Sequence, residues 1–95
     1  MTKAEHIITT RRALSAEDVN FTTYSLMMVL SGHPGQAITV NQLGLEAGMS
    51  YHATRNQLRR TPWFRTTGGR GSAMRVSLAQ EGAEKLARIE KRISR

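Results

Sequence analysis

The 95-residue chain has no cysteine, two prolines, one tryptophan, two tyrosines and two phenylalanines. Without cysteine it can build neither a disulfide framework nor a thiolate metal site. That usage fits a reducing compartment. So few aromatic side chains imply a thin core, in a chain near the lower end of what a single domain can stabilise. Chains this short often gain stability by pairing with a second copy. Long apolar runs are also lacking. The longest, Leu26 to Leu30, falls far below the roughly 20 residues a membrane-spanning helix needs. The opening MTKAEHIITTRR lacks the apolar centre of a signal peptide, so a soluble cytoplasmic protein is expected.

Recognisable catalytic constellations are missing too. His6, His33 and His52 are scattered through three separate stretches, with no paired carboxylates beside them. No nucleophile, base and orienting acid stand at a working spacing, so the chain is not expected to be an enzyme. No cofactor or metal is expected either.

Acidic residues are scarce in one half only. Residues 1–49 hold three basic side chains against four acidic ones, a net charge of −1. Residues 50–95 hold eleven against three, a net charge of +8. A basic surface confined to one half of a small domain points to a polyanionic partner.

What is present is organised around Thr39 to Arg60, TVNQLGLEAGMSYHATRNQLRR. Thr39 and Gln42 form a Thr-x-x-Gln capping box that starts one helix. Leu43, Gly44 and Ala47 give it a small apolar inner face. Gly48 suits the left-handed conformation that ends a helix. Ser50 then caps a second helix running to about Arg60. In that helix His52, Arg55, Asn56 and Arg59 share one face, at i, i+3, i+4 and i+7. Tyr51, Thr54 and Leu58 share another and can pack. Arg and Asn carry the forked donors and acceptors that match guanine and adenine edges in the major groove. A polar outer face is equally that of a solvated helix, and the coincidence with the basic half favours nucleic acid.

Around this centre, residues 1–14 show no clear period and read as part of a strand, a weak helix or a mobile basic arm carrying Arg11 and Arg12. Ser15 to Asp18 resembles a helix start, predicting a broadly apolar helix from Ser15 to about Ser31. Ser31 to Gly35 is a loop, with His33 solvated in it. Ala37 to Val40 reads as a brief strand. Pro62 ends the second helix of the turn motif. Trp63 to Thr67 and Ala73 to Leu78 form a hairpin with Arg70 at its glycine-rich tip, and Trp63 and Phe64 at its base. That glycine run lies between strands, which argues against a phosphate cradle for nucleotides. Ala79 to about Ile93 is a final helix with an apolar stripe of Ala83, Leu86, Ala87, Ile89 and Ile93. Its Lys85, Arg88, Lys91, Arg92 and Arg95 are read as solvated.

This order of elements resembles the winged helix-turn-helix family, nearest to the MarR-like and PadR-like transcription regulators. VNQLGLEAGMSYHATRNQLRR and WFRTTGGRGSAMRVSLAQEG carry the likeness, over about residues 16–93. The ending RVSLAQEG is similar to the MarR-like junction of an arginine-bearing strand with Leu-x-x-x-Gly. The chain departs from the family pattern at Ala79, where a threonine cap is usual, and in lacking an acidic residue near the wing tip. The resemblance implies a mainly α (α+β) fold with a two-stranded β-hairpin wing and a C-terminal helix, residues 15–95 forming one domain after an N-terminal arm, 1–14. It implies a recognition helix, 50–60, in the major groove, and a basic wing, 63–78, on flanking backbone or minor groove. His52, Arg55, Asn56 and Arg59 would approach base edges, and Ser50 and Tyr51 the flanking phosphates. Arg65, Arg70 and Arg75 would add wing contacts. The implied protein is a homodimeric regulator bound to double-stranded DNA, with no small-molecule effector expected. The alternatives are a winged-helix protein-interaction module and an architectural DNA binder without strong sequence preference.

Overall fold

The computed structural model describes residues 2–68 and 74–94. Five helices and three short strands follow in the order α1 (Lys3–Ala16), α2 (Phe21–Ser31), β1 (Ile38–Thr39), α3 (Val40–Ala47), α4 (Tyr51–Arg60), β2 (Phe64–Thr67), β3 (Arg75–Leu78) and α5 (Gln80–Ile93). The strands form one antiparallel sheet in the order β1-β3-β2. Val76 sits opposite both Ile38 and Thr66, and Phe64 opposite Leu78. The predicted brief strand and hairpin are therefore present. The hairpin tip, with Arg70, lies outside the described residues.

Two apolar clusters hold these layers together. Leu26, Leu30, Ile38, Val40, Leu43, Leu58 and Val76 join α2, α3, α4 and the sheet. Ala13, Leu14, Val19, Met27, Leu86 and Ile89 join α1, α2 and α5. Phe64 and Leu78 are half-buried and pack against both clusters, so the base of the hairpin ties them together.

The start of the chain differs from expectation. Residues 3–16 are helix, capped by Thr2, whose Oγ1 accepts the Glu5 N–H at 3.1 Å. Ser15 does not start a helix; it lies in the last turn of α1. The break comes at Asp18, whose φ of 56° puts it in the left-handed region. Asn20 then caps α2, accepting the Thr23 N–H at 2.7 Å. Asn is among the strongest N-cap residues, and here it outcompetes Ser15. In α5, Leu86 and Ile89 are buried, but Ala83 and Ala87 are exposed, and Gly82 is buried instead.

The reason for the early break is Glu17, which is only 8% exposed. Its carboxylate accepts from Arg88 Nε at 2.9 Å and from Arg92 Nε at 3.0 Å. Its backbone oxygen accepts from Lys85 Nζ at 2.6 Å. Three cations read as solvated are thus gathered on one carboxylate at the α1–α2 corner. A buried carboxylate survives only when paired in this way.

The Arg88 guanidinium holds the Glu17 carboxyl below the ordinary glutamate value of 4.5, with burial opposing and Arg92 assisting. A depressed folded value means this stabilisation is complete above 4.5 and is lost as pH falls through the lower, folded value. Glu17→Gln is therefore expected to be less stable than the wild type at neutral pH. Urea denaturation at a series of pH values should show the gap closing only below that ordinary value.

Candidate nucleic-acid interface

The turn motif is built from local caps. Thr39 Oγ1 accepts the Gln42 N–H at 3.1 Å and starts α3. The Gln42 amide does not return to the cap; it donates to Glu46 Oε2 at 3.0 Å, one turn on. Gly48 ends α3 with φ 72° and ψ 30°, and the Met49 N–H closes on the Gly44 carbonyl at 2.8 Å. Ser50 starts α4, its Oγ accepting the Ala53 N–H at 3.1 Å.

A single close approach fixes how α3 and α4 cross. A Cβ placed on Gly44 would lie 2.8 Å from Thr54 Oγ1 and 2.9 Å from the Met49 carbonyl oxygen. Thr54 is fully buried and donates its hydroxyl hydrogen to the Ser50 carbonyl at 2.8 Å. Leu58 enters the first apolar cluster, and Tyr51 packs against its edge. Gln57 Nε2 donates to the buried Thr23 Oγ1 at 2.6 Å and fastens α4 to α2. Gln57 was not anticipated. Its partner lies 34 residues away, which no local pattern reveals.

With its inner side fastened, α4 turns the other side to solvent. His52, Asn56 and Arg59 are exposed, and Arg55 is half-buried. These four fall within an arc of about 100° at helical spacing. Arg55 Nε is shielded and has no partner among the described residues, which leaves the outer nitrogens of its fork to meet an acceptor. Tyr51 stands edge-on to His52, with ring centroids 5.9 Å apart at 77°. Ser50 spends its acceptor on the helix cap.

The sheet places the strand arginines together. Arg65 is opposite Ser77 and Arg75 opposite Thr67, so both leave the face away from Val76 and Leu78. Both are exposed. Arg75 Nη1 also donates to the Ala37 carbonyl at 3.3 Å, which ties it to the approach to β1. Among the described residues, every Arg or Lys ion pair converges on Glu17. Arg55, Arg59, Arg60, Arg65 and Arg75 have no carboxylate partner there. His33 is not simply solvated: its Nε2 lies 3.0 and 3.1 Å from the two Glu46 oxygens. That contact, with help from Gln42, holds the Glu46 carboxyl below its ordinary range.

Backbone comparison places this arrangement among known folds. A mutant of Staphylococcus aureus MepR bound to an oligodeoxyribonucleotide is 14% identical, with a TM-score of 0.82, over 93% of this chain and 67% of that one. A putative MarR-like transcription regulator from Bacillus cereus is 14% identical, with a TM-score of 0.71, over 90% and 64%. The Mycobacterium tuberculosis transcriptional regulator MosR is 23% identical, with a TM-score of 0.72, over 90% and 63%. The chain spans about two thirds of the length of these structures. No family model and no curated protein matches the sequence. At such identities the likeness is one of fold, and the fold is the winged helix-turn-helix of MarR-like proteins expected from the sequence.

The Gly44 contact sets a test of the geometry. Gly44→Ala gains up to about 1 kcal/mol of helix propensity but forces a shift of Met49 backbone, at about 1–3 kcal/mol for overpacking. The variant is expected to be net destabilised in urea denaturation. A stabilised Gly44→Ala would show that α3 and α4 do not pack this closely.

Proposed function

We propose that this chain is a double-stranded DNA-binding transcription regulator and not an enzyme. The observation that carries the reading is the outer side of α4. There Arg55 and Arg59, free of carboxylates among the described residues, stand beside His52 and Asn56 on a helix fastened from behind. Such a helix fits the major groove, where Arg and Asn discriminate bases. Ser50 and Tyr51 at its start would meet flanking phosphates. Arg65, Arg70 and Arg75 would contact backbone or minor groove. The fold shared with a MepR mutant bound to an oligodeoxyribonucleotide supports this reading. The regulator is placed in the cytoplasm as part of this proposal. Among the described residues, no helix is long and apolar enough to cross a membrane.

The same proposal includes a homodimer. Ile7 and Ile8 on α1 are 54% and 50% exposed, and Phe21 is 67% exposed. Beside them runs a groove of about 690 Å³ lined by Ile7, Thr10, Leu14, Val19, Phe21 and Tyr24. An antiparallel pair of α1 helices would set these exposed isoleucines against their own copies, the self-complementarity a two-fold contact needs. In light scattering the wild type should have twice the 10.6 kDa chain mass, and Ile7→Asp/Ile8→Asp should have that mass once.

Duplex titration across salt concentrations tests the DNA roles. Arg55→Ala should cost roughly 1–3 kcal/mol on a preferred sequence and relax the preference. Arg70→Ala should weaken all duplexes alike and flatten the log–log salt slope by about 0.9. If neither variant loses affinity, the roles are wrong. Equal affinity for unrelated duplexes would favour an architectural binder. Retention of an acidic protein with no duplex binding would favour an interaction module.

A further inference from the structure

Trp63 stands immediately before β2, where the wing leaves the domain, and it is held from the α5 side at three points. Its carbonyl oxygen accepts the Ala79 N–H at 3.0 Å. Its Cβ would lie 2.9 Å from a Cβ on Gly82, and its carbonyl oxygen would collide with one, so only glycine admits this approach. The Lys85 ammonium sits over its ring, 4.8 Å from the centroid. Lys85 is in turn the inner member of the cation group at Glu17. It donates to the Glu17 backbone oxygen at 2.6 Å, and its ammonium is 4.0 Å from Glu17 Oε1.

From this chain of contacts we infer that Glu17 is a positioning residue for the wing, acting through Lys85 on Trp63. The inference rests on the proposed role of the wing at the duplex. Lys85, Arg88 and Arg92 occupy i, i+3 and i+7, one face of α5. Glu17 is the only carboxylate paired with them among the described residues. With the carboxylate in place, three cations can stand together and Lys85 stays inward, over the indole. Without it, three like charges face one another on a single helix face. Lys85, on a flexible four-carbon stem, can then turn outward. Its departure would remove the cation from the Trp63 ring and loosen one of the three points that hold the segment leading into β2. The α1–α2 corner is in this way joined to the root of the wing by two side chains, although 46 residues separate Glu17 from Trp63 in sequence.

Trp63 is the only tryptophan, so its fluorescence reads this link without DNA. The full chain is compared with Glu17→Gln, Lys85→Met and the double variant. Glu17→Gln and Lys85→Met should each red-shift Trp63 emission and raise its quenching by acrylamide. The double variant should add nothing to Lys85→Met, since both changes act through one side chain. In duplex titration Glu17→Gln should lose affinity and show a shallower salt dependence, as Arg70→Ala should. A slope unchanged or steeper, with the freed Arg88 and Arg92 recruited to phosphate, would overturn the inference. So would an emission spectrum unmoved in either variant. Lys85→Met leaves Glu17 paired with Arg88 and Arg92, so if Glu17→Gln does not fold, an unmoved emission in Lys85→Met still overturns the inference. A wild type that binds no duplex would remove the DNA reading, while the emission arm still settles whether Glu17 governs Trp63.

Discussion

The contact between Gly44 and Thr54 constrains everything outside it. Two helix backbones can come this close only where one of them carries no side chain. Thr54 fills the space with a small group whose hydroxyl is satisfied within its own helix. A larger residue at either position would lift α4 off the core. Leu58 and the Gln57–Thr23 bond then set its rotation. Because the inner side is settled by packing, the outer side is settled too, and the polar residues at 52, 55, 56 and 59 have one direction to face.

The charges follow a second logic. A chain with net charge +7 repels itself, and its cations have to be distributed with that in view. Lys85, half-buried, and Arg88 and Arg92, both still exposed, are joined to the buried Glu17. The arginines of α4 and of the strands have no such partner among the described residues. The basic half of the sequence is therefore two populations in space. One holds α5 to the α1–α2 corner, and the other remains open to a polyanion.

What could be seen in the sequence was what local chemistry decides. The caps Thr39 and Ser50, the left-handed Gly48 and the pairing of the two hairpin strands each act within a short stretch, and each is found as expected. The face carrying His52, Asn56 and Arg59 was legible for the same reason, since helical spacing alone places it. The α1–α2 boundary was not legible. Ser15 has good cap chemistry, but the break is set by Asp18 in the left-handed region and by a carboxylate whose partners lie 71 and 75 residues on. His33 and Gln57 were hidden for the same reason. Ala83 and Ala87 fit the apolar period of α5, yet the helix is rotated so that Gly82 meets Trp63 and those alanines face outward.

Selection of bound duplexes from a random pool tests the central claim most directly, because it asks the outer face of α4 what it reads. The account predicts enrichment of a near-palindromic sequence, with half-sites about 10 base pairs apart, as two copies of one recognition helix require. It also predicts that the enrichment fades when Arg55 and Arg59 are both alanine. A pool that emerges no different from its input, or that the double variant enriches equally well, would contradict it.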